Sequence, residues 1–261
     1  MRFAGHGVGF TRDRHPGQCP LGGTGKRHRG RCPWELGPEA PQRGGRYGLD
    51  VTSLVLLRHA RTGYNTEGRL QGSLDVPLGE DGLAQSERVA QRVVAQYGTS
   101  LAVATSPLLR SSQTADTLAA LMGISLAGRD ERFTQRPYGV WQGHTWDEVR
   151  EQWPEEYAAR RAGLDPDIPG WGQSEDVADR VAAGLRDRAA EAARTGVETT
   201  VIVSHGSAIM LGVARLLRLP LTPSRLGHLP HGAWNEMRWH GGDDWRLERY
   251  CVGRPADDVG R

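Results

Sequence analysis

The chain has 261 residues, enough for one large α/β domain or two small ones. Lys and Arg number 33 against 31 Asp and Glu, a net charge of +2, so no strong overall field marks the chain for nucleic acid or an anionic membrane. There is no apolar run of about 18 residues and no apolar N-terminal stretch, and the three cysteines Cys19, Cys32 and Cys251 are too scattered to staple a domain, so a soluble cytoplasmic protein is expected.

Residues 1–50 read as a Gly/Arg-rich disordered arm. They hold 12 of the 35 glycines and nine Lys or Arg against four Asp or Glu, without apolar periodicity. Such a stretch buries too little to offset its ordering entropy. The arm's excess of five positive charges leaves the remainder at net −3, so the basic character belongs to the arm. Leu21 to Lys26 resembles part of a phosphate loop but lacks its glycine spacing and its strand–helix setting. Cys19, Cys32, His15 and His28 lack the paired spacing of zinc ligands. The basic run Lys26 to Arg31 reads as solvated charge rather than a specific nucleic-acid contact. Val51 stands just before the first predicted strand, which raises the idea that the arm is a start-site artefact.

From Ser53 to Leu57 a nearly continuous apolar run predicts a strand buried on both faces, and 101–104 and 199–203 read alike. Helical faces follow from Val89, Val93, Val94 and Tyr97, from Ala115, Leu118 and Met122, and from Ile209, Val213, Leu216 and Leu217. Ser106 reads as the N-cap of the second of these, with Pro107 in its first turn. Strands alternating with helices predict a three-layer α/β/α sandwich around a largely parallel sheet, spanning residues 51–252, with 253–261 a flexible tail. The segment 133–172 breaks the rhythm with Tyr138, Trp141, Trp146, Trp153 and Tyr157; it reads as a partial lid, as core filler between helices, or as both. Residues 234–239 and 245–250 alternate around Gly241 to Asp244 and predict a closing hairpin.

The three strands end in Arg58-His59, Thr105-Ser106 and Ser204-His205, and ligands of open α/β sheets gather beyond the carboxyl ends of the strands. Two arginines can each give paired hydrogen bonds to a dianionic phosphate, and a neutral imidazole is a nucleophile available near pH 7. Three segments carry a family resemblance: Leu57-Arg58-His59-Ala60-Arg61-Thr62 with Asn65 and Gln71-Gly72; Pro107 to Ala115 around Arg110; and Val203-Ser204-His205-Gly206. In order and spacing they resemble the histidine phosphatase, or phosphoglycerate mutase-like, superfamily over roughly residues 52 to 250. The resemblance implies that fold, a metal-independent and cofactor-independent phosphomonoesterase, His59 as the phosphorylated nucleophile and His205 as its partner. It further implies Arg58, Arg110, Asn65 and Thr62 around the phosphate, Gln71 and Tyr138 toward the substrate, and a small phosphorylated metabolite, such as a phosphoglycerate derivative, as partner. A homodimer is left open.

Two positions depart from the pattern. Ala60 stands where glycine usually follows the nucleophile, and Gln135 stands where a glutamate serves as general acid and base. An amide cannot protonate a leaving alcohol, a role typically worth about 10²- to 10⁴-fold. A slow phosphatase, a phosphate-binding pseudo-enzyme and a mutase are therefore all open. Glu131, Asp147 and Glu148 are the carboxylates near enough in sequence to substitute, although each reads first as solvated charge. Beyond them, Arg136, Arg160 and Arg161 mark either a second anion pocket or surface charge.

Overall fold

The computed structural model describes residues 51–221 and 226–253. The expectations for the arm, its phosphate-loop-like and cysteine-histidine segments, and the tail from 254 lie outside the described residues.

The first strand, β1 (Thr52–Arg58), pairs in parallel with β4 (Thr199–Ser204), which pairs in parallel with β2 (Ala102–Thr105) and through it with the short β3 (Gly128–Arg129). On the other side of β1 lies the antiparallel hairpin of β5 (Trp234–Trp239) and β6 (Trp245–Val252), giving the order β3-β2-β4-β1-β5-β6. The central strands are apolar because both faces are covered. Leu54, Leu56 and Ile202 pack under α6 (Ser174–Thr195) and α7 (Gly206–Leu216); Val55, Leu57, Val201 and Val203 pack under α2 (Glu80–Tyr97) and α3 (Leu109–Met122). Fully burying one such side chain stabilises the fold by about 1.5–3 kcal/mol. This is the expected α/β/α sandwich.

Two readings change. Ser106 does not cap α3, whose N-cap is Leu108; its hydroxyl accepts from the Leu108 amide at 3.3 Å and meets His205 Nε2 at 2.9 Å. The 22-residue α6 was absent from the periodic faces, because much of its buried side is alanine and glycine, which weakens the apolar signal. The segment 133–172 is both lid and core. Trp141 and Trp171 are buried with Leu70, Val149 and Ile168 in a separate apolar cluster, while Tyr138, Trp146 and Tyr157 reach a large cavity. The lid carries α4 (Trp146–Gln152), started by a capping box of Thr145 and Glu148, and α5 (Pro154–Arg161), opened by proline at its first turn.

None of the described helices is long and apolar enough to cross a membrane.

Candidate active site

The carboxyl ends of β1, β2 and β4 lie side by side, so Arg58-His59, Ser106 and His205 converge where the strand order reverses. Over them opens a cavity of about 940 Å³. Arg58, His59, Asn65, Gln71, Arg110, Gln135 and Tyr138 all line it. His205 lies behind His59, fully buried, with ring centroids 5.1 Å apart. Thr62 stays outside: it is buried and caps the short α1 (Gly63–Thr66), its hydroxyl accepting from the Asn65 amide at 3.2 Å and donating to Asn65 Oδ1 at 3.0 Å.

The local contacts fix the protonation of His59. Its Nδ1 lies 2.7 Å from the carbonyl oxygen of Ala60, which can only accept, so the proton sits on Nδ1 and Nε2 keeps its lone pair. Burial holds the His59 pKa well below the ordinary histidine value, and the charges of Arg110 and Arg58 lower it further. His205 is likewise held neutral, first by burial and then by Arg110. Ala60 is fully buried and its amide donates to Thr114 Oγ1 at 3.1 Å, so the methyl that replaces hydrogen is packed inside the fold.

Arg58 and Arg110, the two arginines expected around the phosphate, each donate to backbone carbonyls. Arg110 donates to the carbonyls of Leu74 at 2.7 Å and Gly72 at 2.8 Å; burial lowers its pKa to about 10, against an opposing pull from Asp75, which leaves it charged at neutral pH. Arg58 donates to Leu229 O at 2.6 Å, His228 Nε2 at 2.9 Å and His231 Nε2 at 2.8 Å. Gly206, at the N-terminus of α7, packs closely against Arg58, and a Cβ there would come 3.3 Å from its guanidinium carbon. Gly206 and Ser207 also line the cavity, so the positive end of that helix dipole adds to the field.

The remaining charge is lopsided. Six arginines line the cavity (Arg58, Arg69, Arg110, Arg136, Arg160 and Arg161), and none of its described lining residues is Asp or Glu. Gln135 is half-buried at the wall, its Oε1 accepting from the Arg136 amide at 3.0 Å and its carbonyl from Arg180 at 3.2 Å. None of the three substitute carboxylates lines the cavity: Glu131 is exposed, Asp147 pairs with Arg150 at the surface, and Glu148 serves the capping box and pairs with the lining Arg69 at 3.4 Å. Arg136 is fully buried against Asp165 and Ser174, whereas Arg160 stacks over Trp171, 5.7 Å from its ring centroid. Tyr138 ties the lid to α7 through Ser207 Oγ at 2.9 Å. Among the described residues no cluster of three or more His, Cys, Asp or Glu is placed to hold a metal ion.

The sequence matches the histidine phosphatase superfamily (branch 1) over residues 54–252. The chain belongs to that superfamily. Among its histidine phosphatase relatives, phosphoglycerate mutase-like protein 4 of Arabidopsis thaliana is 33% identical over 204 residues, covering 77% of this chain and 85% of that one. The metal-independent phosphoserine phosphatase of the same plant is 34% identical over 175 residues, covering 66% and 70%. The solved structure of mycobacterial glucosyl-3-phosphoglycerate phosphatase with VO3 superposes with a TM-score of 0.68 at 30% identity, covering 76% of this chain and 98% of that one.

Sequence reading missed His228 and His231. They stand in an irregular strap some 170 positions beyond Arg58, with no periodicity and no motif to mark them. The one available signal was their place directly ahead of the closing hairpin, beside β1.

Proposed function

We propose that this histidine phosphatase hydrolyses a small phosphomonoester through a phosphohistidine on His59. The observation that carries the reading is the convergence of a neutral imidazole, Nε2 unprotonated, with two guanidiniums, one donating to His231 Nε2 and the other to the Gly72 carbonyl. A phosphate dianion enters a positive cavity in which Arg69 and Arg136 are paired with Glu67, Glu148 and Asp165, while Arg58 and Arg110 can spread over its oxygens. Nε2 attacks phosphorus, the P–O ester bond breaks, and its electron pair leaves with the ester oxygen. The Nδ1 proton stays on the ring, donated in a hydrogen bond to Ala60 O, as positive charge grows on the imidazole. Water then attacks the phosphohistidine, releasing inorganic phosphate and restoring the imidazole. His205, packed against His59 at 5.1 Å between ring centroids, is assigned the part of a donor as charge shifts onto the phosphoryl oxygens.

Gln135 supplies no proton, so the leaving group has to depart as an anion. This favours esters of acidic hydroxyls, such as aryl or enol phosphates, over alkyl esters. Arg160 and Arg161 on the lid suit a substrate with a second anionic group. The test is phosphate release from aryl and alkyl phosphates by wild type, His59→Ala and Gln135→Glu. Aryl cleavage that His59→Ala abolishes is expected; hydrolysis untouched by that substitution overturns the mechanism.

The lack of Asp and Glu among the described lining residues also favours a second reading, a phosphate-ligand binder without turnover. Calorimetric binding of a phosphorylated metabolite with no phosphate release supports it, and rapid turnover of any phosphomonoester excludes it.

A further inference from the structure

Between α7 and β5 the chain passes under the phosphate arginine, and one imidazole of that strap touches both halves of the catalytic dipeptide. His231 Nε2 lies 2.8 Å from Arg58 Nη2, and its Nδ1 lies 3.2 Å from the carbonyl oxygen of His59. A guanidinium only donates and a carbonyl only accepts, so the ring is fixed as the neutral tautomer with its proton on Nδ1. Its ring stands edge-on to that of His59, centroids 5.0 Å apart.

We propose that His231 is a positioning residue, which sets the guanidinium of Arg58 and the backbone of His59 in the arrangement that phosphoryl transfer requires. The proposal rests on the phosphomonoesterase reading above, and assigns a role to a side chain outside the three motifs. The backbone around it is built for this. Arg58 N donates to Ala233 O at 3.0 Å and Gly232 N to Arg58 O at 3.1 Å, which splices the strap onto the end of β1. His231 O accepts from Gln85 Nε2 at 3.0 Å, and Gln85 Oε1 accepts from the Arg61 amide at 2.9 Å, so α2 anchors both sides of the nucleophile. Gly232 has φ +72°, and a Cβ there would come 2.7 Å from Val89, so the turn that aims the ring needs glycine.

The choice of imidazole has a chemical reason. A carboxylate would hold Arg58 equally well but would cancel the charge that the phosphate needs. A neutral ring orients the guanidinium and leaves its charge available. The device is sensitive to protons, because a protonated ring loses the lone pair and repels Arg58. The groups facing His231 are Arg58 and His59 from the end of β1, His228 from its own strap, and the neutral Gln85 amide from α2. Burial first, and then the charge of Arg58, keep it neutral.

The experiment compares full-length wild type, His231→Ala and His231→Gln. Two quantities are read: calorimetric affinity for inorganic phosphate, and kcat/KM for an aryl phosphate across pH. Misplacing a catalytic group by about 1 Å can cost on the order of 100-fold, and His231→Ala is expected to lose about 10- to 100-fold in both at unchanged secondary structure. His231→Gln, whose amide oxygen can accept from Arg58, is expected to recover most of that at neutral pH. Its activity should also decline less steeply on the acid side, because an amide does not protonate. Unchanged phosphate affinity and kcat/KM in His231→Ala overturn the proposal. Should that variant not fold, an acid limb of His231→Gln that coincides with wild type overturns it as well. If wild type binds phosphate but cleaves no ester, the phosphomonoesterase reading fails, and the loss of phosphate affinity still decides the role of His231.

Discussion

On the proposed mechanism, replacing Gln135 with glutamate supplies a proton donor at almost constant shape. One carboxylate oxygen can keep the bond that Gln135 Oε1 now accepts from the Arg136 amide at 3.0 Å, leaving the other for the cavity. Two effects oppose each other. General acid catalysis is typically worth about 10²- to 10⁴-fold, or about 3–5 kcal/mol at 1.36 kcal/mol per decade. Against this, an arginine about 4 Å away favours the ionised carboxylate by up to about 4 kcal/mol at an effective dielectric of 20, which takes away the proton to be given. A bound phosphate dianion offsets much of that pull, so the gain survives in the complex at the lower end of its range. We expect kcat for an alkyl phosphate to rise about 10²- to 10³-fold, with KM rising because the cavity becomes less positive. An aryl phosphate should change by less than about tenfold, because a phenolic leaving group has a pKa near 10 and needs little protonation. Continuous phosphate-release assays on both esters measure the ratio. An alkyl-to-aryl ratio that Gln135→Glu leaves unmoved refutes the reasoning about this position.

Two further outcomes follow from the electrostatics. His59, His205 and His231 are all held neutral by burial, with pKa values well below 6.5, so the unfolded chain binds more protons than the folded one as the pH drops below about 6.5. Stability is therefore full above that value and falls as the pH drops toward the folded pKa values, and Tm measured from pH 8 to pH 5 should decline through that window; a flat profile contradicts the burial account. Arg110→Lys keeps a charge but loses the fork held by Gly72 O and Leu74 O. It should lower kcat/KM for an aryl phosphate by about 10²- to 10³-fold, the usual cost of one donor to a developing oxyanion, and kinetics equal to wild type would contradict the assigned role.

The sandwich was legible because burial on both faces leaves a mark on composition: β1 and β4 are apolar runs that end abruptly in Arg58-His59 and Ser204-His205. Position at strand ends and residue chemistry pointed Arg58 and His59 to the edge where the cavity opens, whereas Arg110, in α3, and Gln135, in a loop, were marked by the family resemblance alone. The alanine-rich face of α6 was not, since alanine fits a packed helix without announcing a periodic stripe. Thr62 carried the right residue type beside the right motif, yet its hydroxyl is taken up in capping α1, a local use that type and spacing do not distinguish from phosphate contact. The role of Ser106 was misread for a related reason: serine followed by proline looks like a helix start, while its hydroxyl faces His205 across the sheet. His231 was out of reach because its partners lie 172 and 173 positions away and nothing in the chain between them encodes the pairing.

The central claim is a covalent phosphohistidine, and rapid quenching tests it most directly. An aryl phosphate labelled with ³²P is mixed with excess enzyme, stopped in alkali within milliseconds, and the labelled peptide is identified by mass spectrometry. The account predicts an acid-labile, alkali-stable label on His59 that forms before inorganic phosphate appears and is absent in His59→Ala. Steady turnover with no labelled protein at any time, or a label on another residue, would contradict it.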